Sequence, residues 1–239
     1  MPANAALLLI AHGSSRYPDA AEGLHRQAEA LRAEGTFLQV EVALLNGTPT
    51  VAGSLARIDA GELRVVPYFM EAGYFTQEAI PRALGSAPRV RLCPPVGTHD
   101  GMAGLIERQA LAACEAMGIS SRDAAVLVAG HGSASAPGRT LALHAHASRV
   151  GWTTLFARVE SACLEEPPFV AETLRGLRHH PVVVIGFFAG EGGHVRDDLP
   201  ALVAAEQAAR GQDGPTVRTN GSVTNDPAML RIILDQAAI

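Results

Sequence analysis

The sequence repeats itself. Sliding the 239 residues past themselves by 119 positions lays His12-Gly13-Ser14 on His131-Gly132-Ser133, Pro18 on Pro137, Leu24-His25 on Leu143-His144 and Val40-Glu41 on Val159-Glu160. The register runs on without a gap: Pro49 meets Pro168, Val51-Ala52 meets Val170-Ala171, Leu55 meets Leu174, Phe69 meets Phe188, Gly73 meets Gly192 and Pro81 meets Pro200. Shared composition matches scattered Ala and Val, but not His, Gly and Pro at one spacing over some seventy positions, so the chain is built from two copies of one unit. The halves are 1–119 and 120–239, joined at Met117-Gly118-Ile119-Ser120-Ser121, which is too short for a free linker.

Each half alternates short apolar runs with helical patterns. The first runs, Ala6 to Ala11 and Ala125 to Ala129, are bounded by Gly in the manner of buried parallel strands and end at the HGS turn. A helix follows, opened by Pro18 or Pro137, with Leu24, Ala28 and Leu31 on one face in the first copy. Further strands are expected at Phe37–Leu45 and Thr153–Val159, Leu63–Pro67 and Val182–Ile185, and Arg89–Leu92 and Thr216–Arg218. Between them lie helices begun near Pro49 and Pro168 and others closing near Ala83 and Ala205. A last helix in each copy is expected to start at Asp100 or Asp226 as N-cap. This pattern predicts an α/β fold of two tandem doubly wound half-domains, each a parallel four-stranded sheet flanked by helices. A bilobal arrangement with a central cleft and a pseudo-twofold axis is expected.

Composition narrows the function classes. With 48% apolar and 18% charged residues the chain can bury a large core. A net charge of -5 argues against nucleic acid as partner, and all 19 basic residues are Arg. The three cysteines, Cys93, Cys114 and Cys163, are isolated in apolar sequence, which fits reduced core thiols rather than a disulfide frame or zinc cluster. The apolar start has no Lys or Arg before Arg16 and leads into a Gly-rich turn, and no later run reaches membrane-span length. These features predict a cytoplasmic protein with no membrane partner.

In open parallel sheets ligands collect beyond the carboxyl ends of the strands. His131 follows the first strand of the second copy, and His194 follows its third strand in Gly190-Glu191-Gly192-Gly193-His194-Val195-Arg196-Asp197-Asp198-Leu199-Pro200. The two loops are expected to be neighbours, so that two imidazoles converge on a site for a divalent first-row metal such as cobalt or iron. Glu71 and Glu191 are candidate carboxylate ligands or proton relays. Ser14 and Ser133 brace their turns rather than act as nucleophiles, because the surrounding sequence is no nucleophile elbow. His25 and His144 read as packed or interfacial residues, His144 and His146, two apart on different helix faces, make no metal pair, and His179-His180 read as exposed.

A strand ending in HGS, a third strand ending in two aromatics with a Gly-rich turn carrying His, then two acids and Leu-Pro: this pattern resembles the class II tetrapyrrole chelatases. That family includes the CbiX-like sirohydrochlorin cobaltochelatases and ferrochelatases and, more remotely, protoporphyrin ferrochelatase. The resemblance covers essentially the whole chain. It implies insertion of a divalent metal, Co2+ or Fe2+, into sirohydrochlorin or a related tetrapyrrole of cobalamin or siroheme biosynthesis, with the metal as substrate and no organic cofactor. It also implies that His131 and His194 act on the metal and on the pyrrole nitrogens. Neutral imidazole suits both tasks, since it ligates transiently and accepts a proton near neutral pH. The first copy keeps His12 but has Phe75 where the second has His194, so its site is expected to be degenerate. Members that carry both histidines in the second half are the better match. His12, Ser133, Arg139 and Arg196 form a secondary set for substrate contact, the arginines matching substrate carboxylates, and a monomer or weak homodimer is expected.

Two other readings compete. The Gly-rich turn after the first strand approaches a dinucleotide fingerprint, but its last position is Ser135 and no acid stands about twenty residues on. A non-catalytic metal or tetrapyrrole carrier, derived from a chelatase by loss of one histidine in a copy, is the alternative.

Overall fold

The protein is described here from a computed structural model covering residues 4–14, 16–86 and 89–238. Its strands form two parallel four-stranded sheets. One holds β1 (Ala5–Ala11), β2 (Gln39–Leu44), β3 (Glu62–Pro67) and β4 (Val90–Leu92) in the order β2-β1-β3-β4. The other holds β5 (Ala125–Gly130), β6 (Arg158–Cys163), β7 (Val182–Gly186) and β8 (Val217–Ser222) in the order β6-β5-β7-β8. The two orders are the same, as the sequence duplication requires. Both central strands are buried along their whole length, which only a sheet covered on both faces permits. Burial of each of Leu7, Leu8, Leu9 and Ile10, all fully inaccessible, contributes roughly 1.5–3 kcal/mol.

The helices are α1 (Glu22–Glu34), α2 (Val51–Leu55), α3 (Ile80–Leu84), α4 (Met102–Ala116), α5 (Leu141–Trp152), α6 (Val170–Gly176), α7 (Leu199–Arg210) and α8 (Met229–Ala238). The expected face of α1, Leu24, Ala28 and Leu31, is buried, and the helix stops at Gly35 in the left-handed conformation. Two compact units result: Met1–His99 with Pro227–Ile239, and Asp100–Asp226. The helix that closes each sequence repeat therefore belongs to the compact unit of the other repeat. Helix α8 packs on β3 and α1, and α4 packs on β7, β8 and α5.

Several boundaries differ from expectation. Pro137 does not open a helix: Gly138 follows with φ +79°, and α5 begins only at Leu141. Pro18 opens a 3-10 turn, Pro18–Ala21, ahead of α1. Strand β6, Arg158–Cys163, starts five residues and ends four residues later than Thr153–Val159, because Thr154 takes φ +56° in a turn and the edge strand begins with the exposed Arg158. Asp100 does not stand at the N-cap of α4, and α8 begins at Met229, three residues beyond Asp226. Gly101 stands at the N-cap of α4, Asp100 accepts from Arg149 at 2.6 Å, and Asp226 accepts two bonds from Arg108 at 3.1 and 2.9 Å.

The amino ends of β7 and β8 are fixed by one arginine. Arg210, its side chain 3% exposed, pairs with Glu206 at 2.9 Å and donates to the carbonyls of His180 (2.7 Å), Pro215 (3.2 Å) and Leu174 (3.2 Å). The three cysteines are buried, and desolvation pushes the Cys93 and Cys114 thiols up from their usual value. Among the described residues, no helix is long and apolar enough to cross a membrane.

Candidate metal centre

In the order β6-β5-β7-β8 the chain leaves β5 toward β6 and then crosses over to β7, so the topological switch lies at the carboxyl ends of β5 and β7. His131 follows β5. Its carbonyl accepts from the amides of Leu164 (3.1 Å) and Glu165 (2.9 Å), which ties the HGS turn to the end of β6. His194 begins a π-helical turn, His194–Asp198, after β7. That turn is held from below by the buried Val195 and Leu199 and from its start by Gly192, whose carbonyl accepts from Val195 and Arg196 at 3.0 Å each. Four residues on, Asp198 lies over the first residue of the turn: His194 Nδ1 is 2.7 Å from Asp198 Oδ2.

The two rings meet edge to face, with centroids 4.3 Å apart and planes at 80°. Phe188 stacks behind His194 at 5.9 Å and 27°. Glu165 completes the group, its Oε2 3.6 Å from His131 Nδ1, and one ligand atom each from His131, Glu165 and His194 lies within 4.8 Å of the others. The carboxylate of Asp198 only accepts, so His194 Nδ1 carries the proton and Nε2 has the free lone pair. The Gly132 carbonyl, 2.9 Å from His131 Nδ1, has the same effect on His131. The donor set is therefore two imidazole nitrogens and one carboxylate, suited to a first-row divalent ion. A closed tetrahedral site at ~2.1 Å would bring its ligands to about 3.5 Å of one another. Here the spacing is looser, and the His131, Glu165 and His194 side chains are 50%, 47% and 34% exposed, leaving coordination positions open to a second ligand.

Of the residues expected from sequence, His131 and His194 come together. Glu191 lies outside the cluster and accepts from Asn225 Nδ2 at 2.6 Å and the Ser222 amide at 3.3 Å, fastening the Gly-rich loop to the end of β8. Ser133 accepts from the Ala136 amide at 3.2 Å and meets Ser135, which braces the turn. Arg139 and Arg196 are exposed on the two loops that flank the histidines. Glu71 and His12 belong to the other compact unit, each at the carboxyl end of its sheet. Glu165 was not singled out from sequence, and Asp198 only as one of the two acids of the motif, without a role.

That other unit repeats the frame with the chemistry removed. His12 Nδ1 lies 2.8 Å from the Gly13 carbonyl, and the Asn46 amide donates to the His12 carbonyl at 2.7 Å. A π turn, Phe75–Ala79, follows β3, and Phe75 meets His12 edge to face at 4.6 Å and 86° with Phe69 stacked behind at 5.8 Å. In the 119-residue register Phe75 stands for His194, Asn46 for Glu165 and Ala79 for Asp198.

The sequence model of one family, CbiX, matches residues 6–113 and again 125–238. The chain belongs to the CbiX family. Its relatives include a protein of Halobacterium salinarum described as a probable sirohydrochlorin cobaltochelatase, 27% identical over 98% of this chain and 90% of that one. The solved structure of CbiX, described as the terminal enzyme for biosynthesis of siroheme in denitrifying bacteria, superposes with a TM-score of 0.76 at 28% identity over 97% of both chains. A multi-domain Deinococcus radiodurans protein with structural similarity to chelatases gives 0.83 at 28% identity, and this CbiX-family chain spans 55% of its length. SirB from Bacillus subtilis, solved with Fe3+, shares the fold at 0.80 and 18% identity over 98% of this chain and 94% of that one.

Proposed function

We propose that this CbiX-family protein inserts a divalent metal, cobalt(II) or iron(II), into sirohydrochlorin or a closely related tetrapyrrole. The observation that carries the reading is the exposed His131–Glu165–His194 cluster at the switch point of its sheet. Metallation converts a divalent aqua ion and a ring with two pyrrole N–H groups into the metallated ring, two protons and released water. His131, Glu165 and His194 hold the ion while it sheds water, and they leave part of its coordination sphere open to ring nitrogens. As the ion passes to the ring, the freed imidazole nitrogen and the Glu165 carboxylate accept the two protons. Arg139 and Arg196, exposed beside the cluster, match the carboxylates of the ring periphery.

The test is anaerobic spectrophotometry of sirohydrochlorin with cobalt(II) or iron(II), comparing the wild-type protein with His131→Ala and His194→Ala at matched folding. Acceleration over the spontaneous rate that each substitution abolishes is expected. Rates equal to the blank for all three proteins overturn the chelatase reading and leave the carrier, which then shows as tight, slowly released metal or metallated ring.

A further inference from the structure

Beneath the HGS turn lies a carboxylate that the proposed chemistry does not use. Glu166 is 2% exposed, follows Glu165 in sequence, and points away from the metal cluster into the segment that joins His131 to α5. One of its oxygens accepts from the Gly138 amide at 2.7 Å and the other from the Thr140 hydroxyl at 2.8 Å. Because the carboxylate only accepts, the direction of the remaining bonds follows. Thr140 gives its proton to Glu166, His144 Nε2 donates to the Thr140 oxygen at 3.2 Å, and the Ser161 hydroxyl of β6 donates to His144 Nδ1 at 2.8 Å. The same carboxylate side chain props up the turn that carries His131: a Cβ placed on Gly132 would lie 2.8 Å from Glu166 Cγ and 2.7 Å from Cys163 Cβ.

The first copy is an internal control. In the 119-residue register Glu166 becomes Gly47, Thr140 becomes Ala21 and Ser161 becomes Val42, while His144 is kept as His25. The network is thus present in the copy that has the His–Glu–His cluster and missing from the copy that has Phe75 and Asn46 in its place. Both copies form the same sheet, HGS turn and π turn, so the network is not needed to make the fold.

We propose that Glu166, clamped by Thr140 and Gly138, is a positioning residue for the metal: it fixes the His131 turn against the Glu165 backbone so that two of the three ligands are preset relative to each other. The inference rests on reading His131, Glu165 and His194 as the metal centre. A group that bonds a metal ligand directly is worth about 10–100-fold in metal affinity; Glu166 acts one step further out, through the backbone of the turn, so its loss is expected at the lower end, about tenfold.

The experiment titrates the full-length apoprotein with cobalt(II), followed by its ligand-field absorption, for wild type, Glu166→Gln, Thr140→Val and Thr140→Ser. It is paired with thermal unfolding and with metallation kinetics at varied metal and varied ring. The Gln and Val variants are expected to bind cobalt about tenfold more weakly, with the half-saturating metal concentration raised in step and that for the ring unchanged. Thr140→Ser, which keeps the donor, is expected within about threefold of wild type. Wild-type affinity in the folded fraction of the Gln and Val variants overturns the proposal, as does a Ser variant as weak as Val. A wild-type protein that binds no cobalt overturns it together with the metal-centre reading. A wild type that binds cobalt normally but metallates nothing leaves the clamp supported or overturned by the affinities alone.

Discussion

Two glycines of the His131 loop have almost the same backbone and opposite surroundings, which lets strain and crowding be measured separately. Gly132 has φ +75° and Gly138 has φ +79°. A Cβ on Gly138 meets nothing within 4 Å, whereas one on Gly132 would stand 2.7 Å from Cys163 Cβ, 2.8 Å from Glu166 Cγ and 3.0 Å from the Glu166 amide nitrogen. Gly138→Ala therefore adds only left-handed strain of about 1–2 kcal/mol, reduced by about 0.4–1 kcal/mol because alanine restricts the unfolded chain, for a net cost near 0.5–1 kcal/mol. Gly132→Ala adds an overpacking cost of about 1–3 kcal/mol on top, for a total of roughly 2–4 kcal/mol. At about 4 °C per kcal/mol for a domain of this size, thermal unfolding of the apoprotein should fall by roughly 2–4 °C for Gly138→Ala and 8–16 °C for Gly132→Ala. Gly132→Ala should also weaken cobalt binding, since the atoms it displaces are those that carry Glu165 and support His131. Equal Tm losses for the two variants would show that the close approach of Gly132 to β6 is not what the loop requires.

The first-copy frame should accept the missing ligands. The Asn46→Glu, Phe75→His double variant is expected to add a second cobalt site weaker than the first, since His12 and Phe75 already meet in the same edge-to-face geometry as His131 and His194 but Gly47 and Ala79 stand where Glu166 and Asp198 support the native pair; a stoichiometry that stays at one at saturating cobalt refutes the likeness of the two frames. At the other end of the second sheet, Arg210→Met leaves Glu206 buried without its partner and removes three bonds to carbonyls. It should cost about 3–5 kcal/mol of stability in denaturant unfolding while cobalt affinity of the folded protein stays at the wild-type value.

The duplication made most of this fold legible, because a strand assigned in one copy has to recur 119 residues later in the other. Where that constraint was not applied the reading slipped. Residues 39–44 form β2, so residues 158–163 must form β6, yet Thr153, Thr154 and Phe156 are strong strand formers and draw the assignment upstream. That slip hid Glu165. A strand ending at Val159 puts Glu165 and Glu166 well inside the next connection, whereas a strand ending at Cys163 puts both at the carboxyl end, beside His131. The histidines were visible because imidazoles at strand ends in a Gly-rich setting have few structural uses. Asp198 was not, because an acid four residues after a His at a helix start looks like any surface i,i+4 pair. The late start of α5 escaped for a similar reason. Pro137 is a fair helix opener by local rules, and only the long-range bonds to Glu166 turn residues 138–140 out of the helix.

The two copies also separate what stabilises this fold from what acts on a ligand. Phe75 occupies the position of His194 with the same partner on one side, the same stacked phenylalanine on the other and nearly the same centroid distances. Packing therefore has no preference for imidazole at that position. A phenyl ring needs no hydrogen-bond partner, so nothing in the packing of that position calls for an imidazole. The same holds for the carboxylates. Glu165 is half exposed and adds little to stability, and Asp198 pairs with His194 in a solvent-accessible geometry that contributes at most about 1 kcal/mol. Glu166 is a buried charge whose burial cost an apolar residue would avoid. Four polar residues thus stand together at the switch point of one sheet where the fold itself favours none of them, and a sister sheet with the same turns does without every one. Their placement together is what the proposed metal centre requires, and two imidazoles with a carboxylate suit a divalent ion.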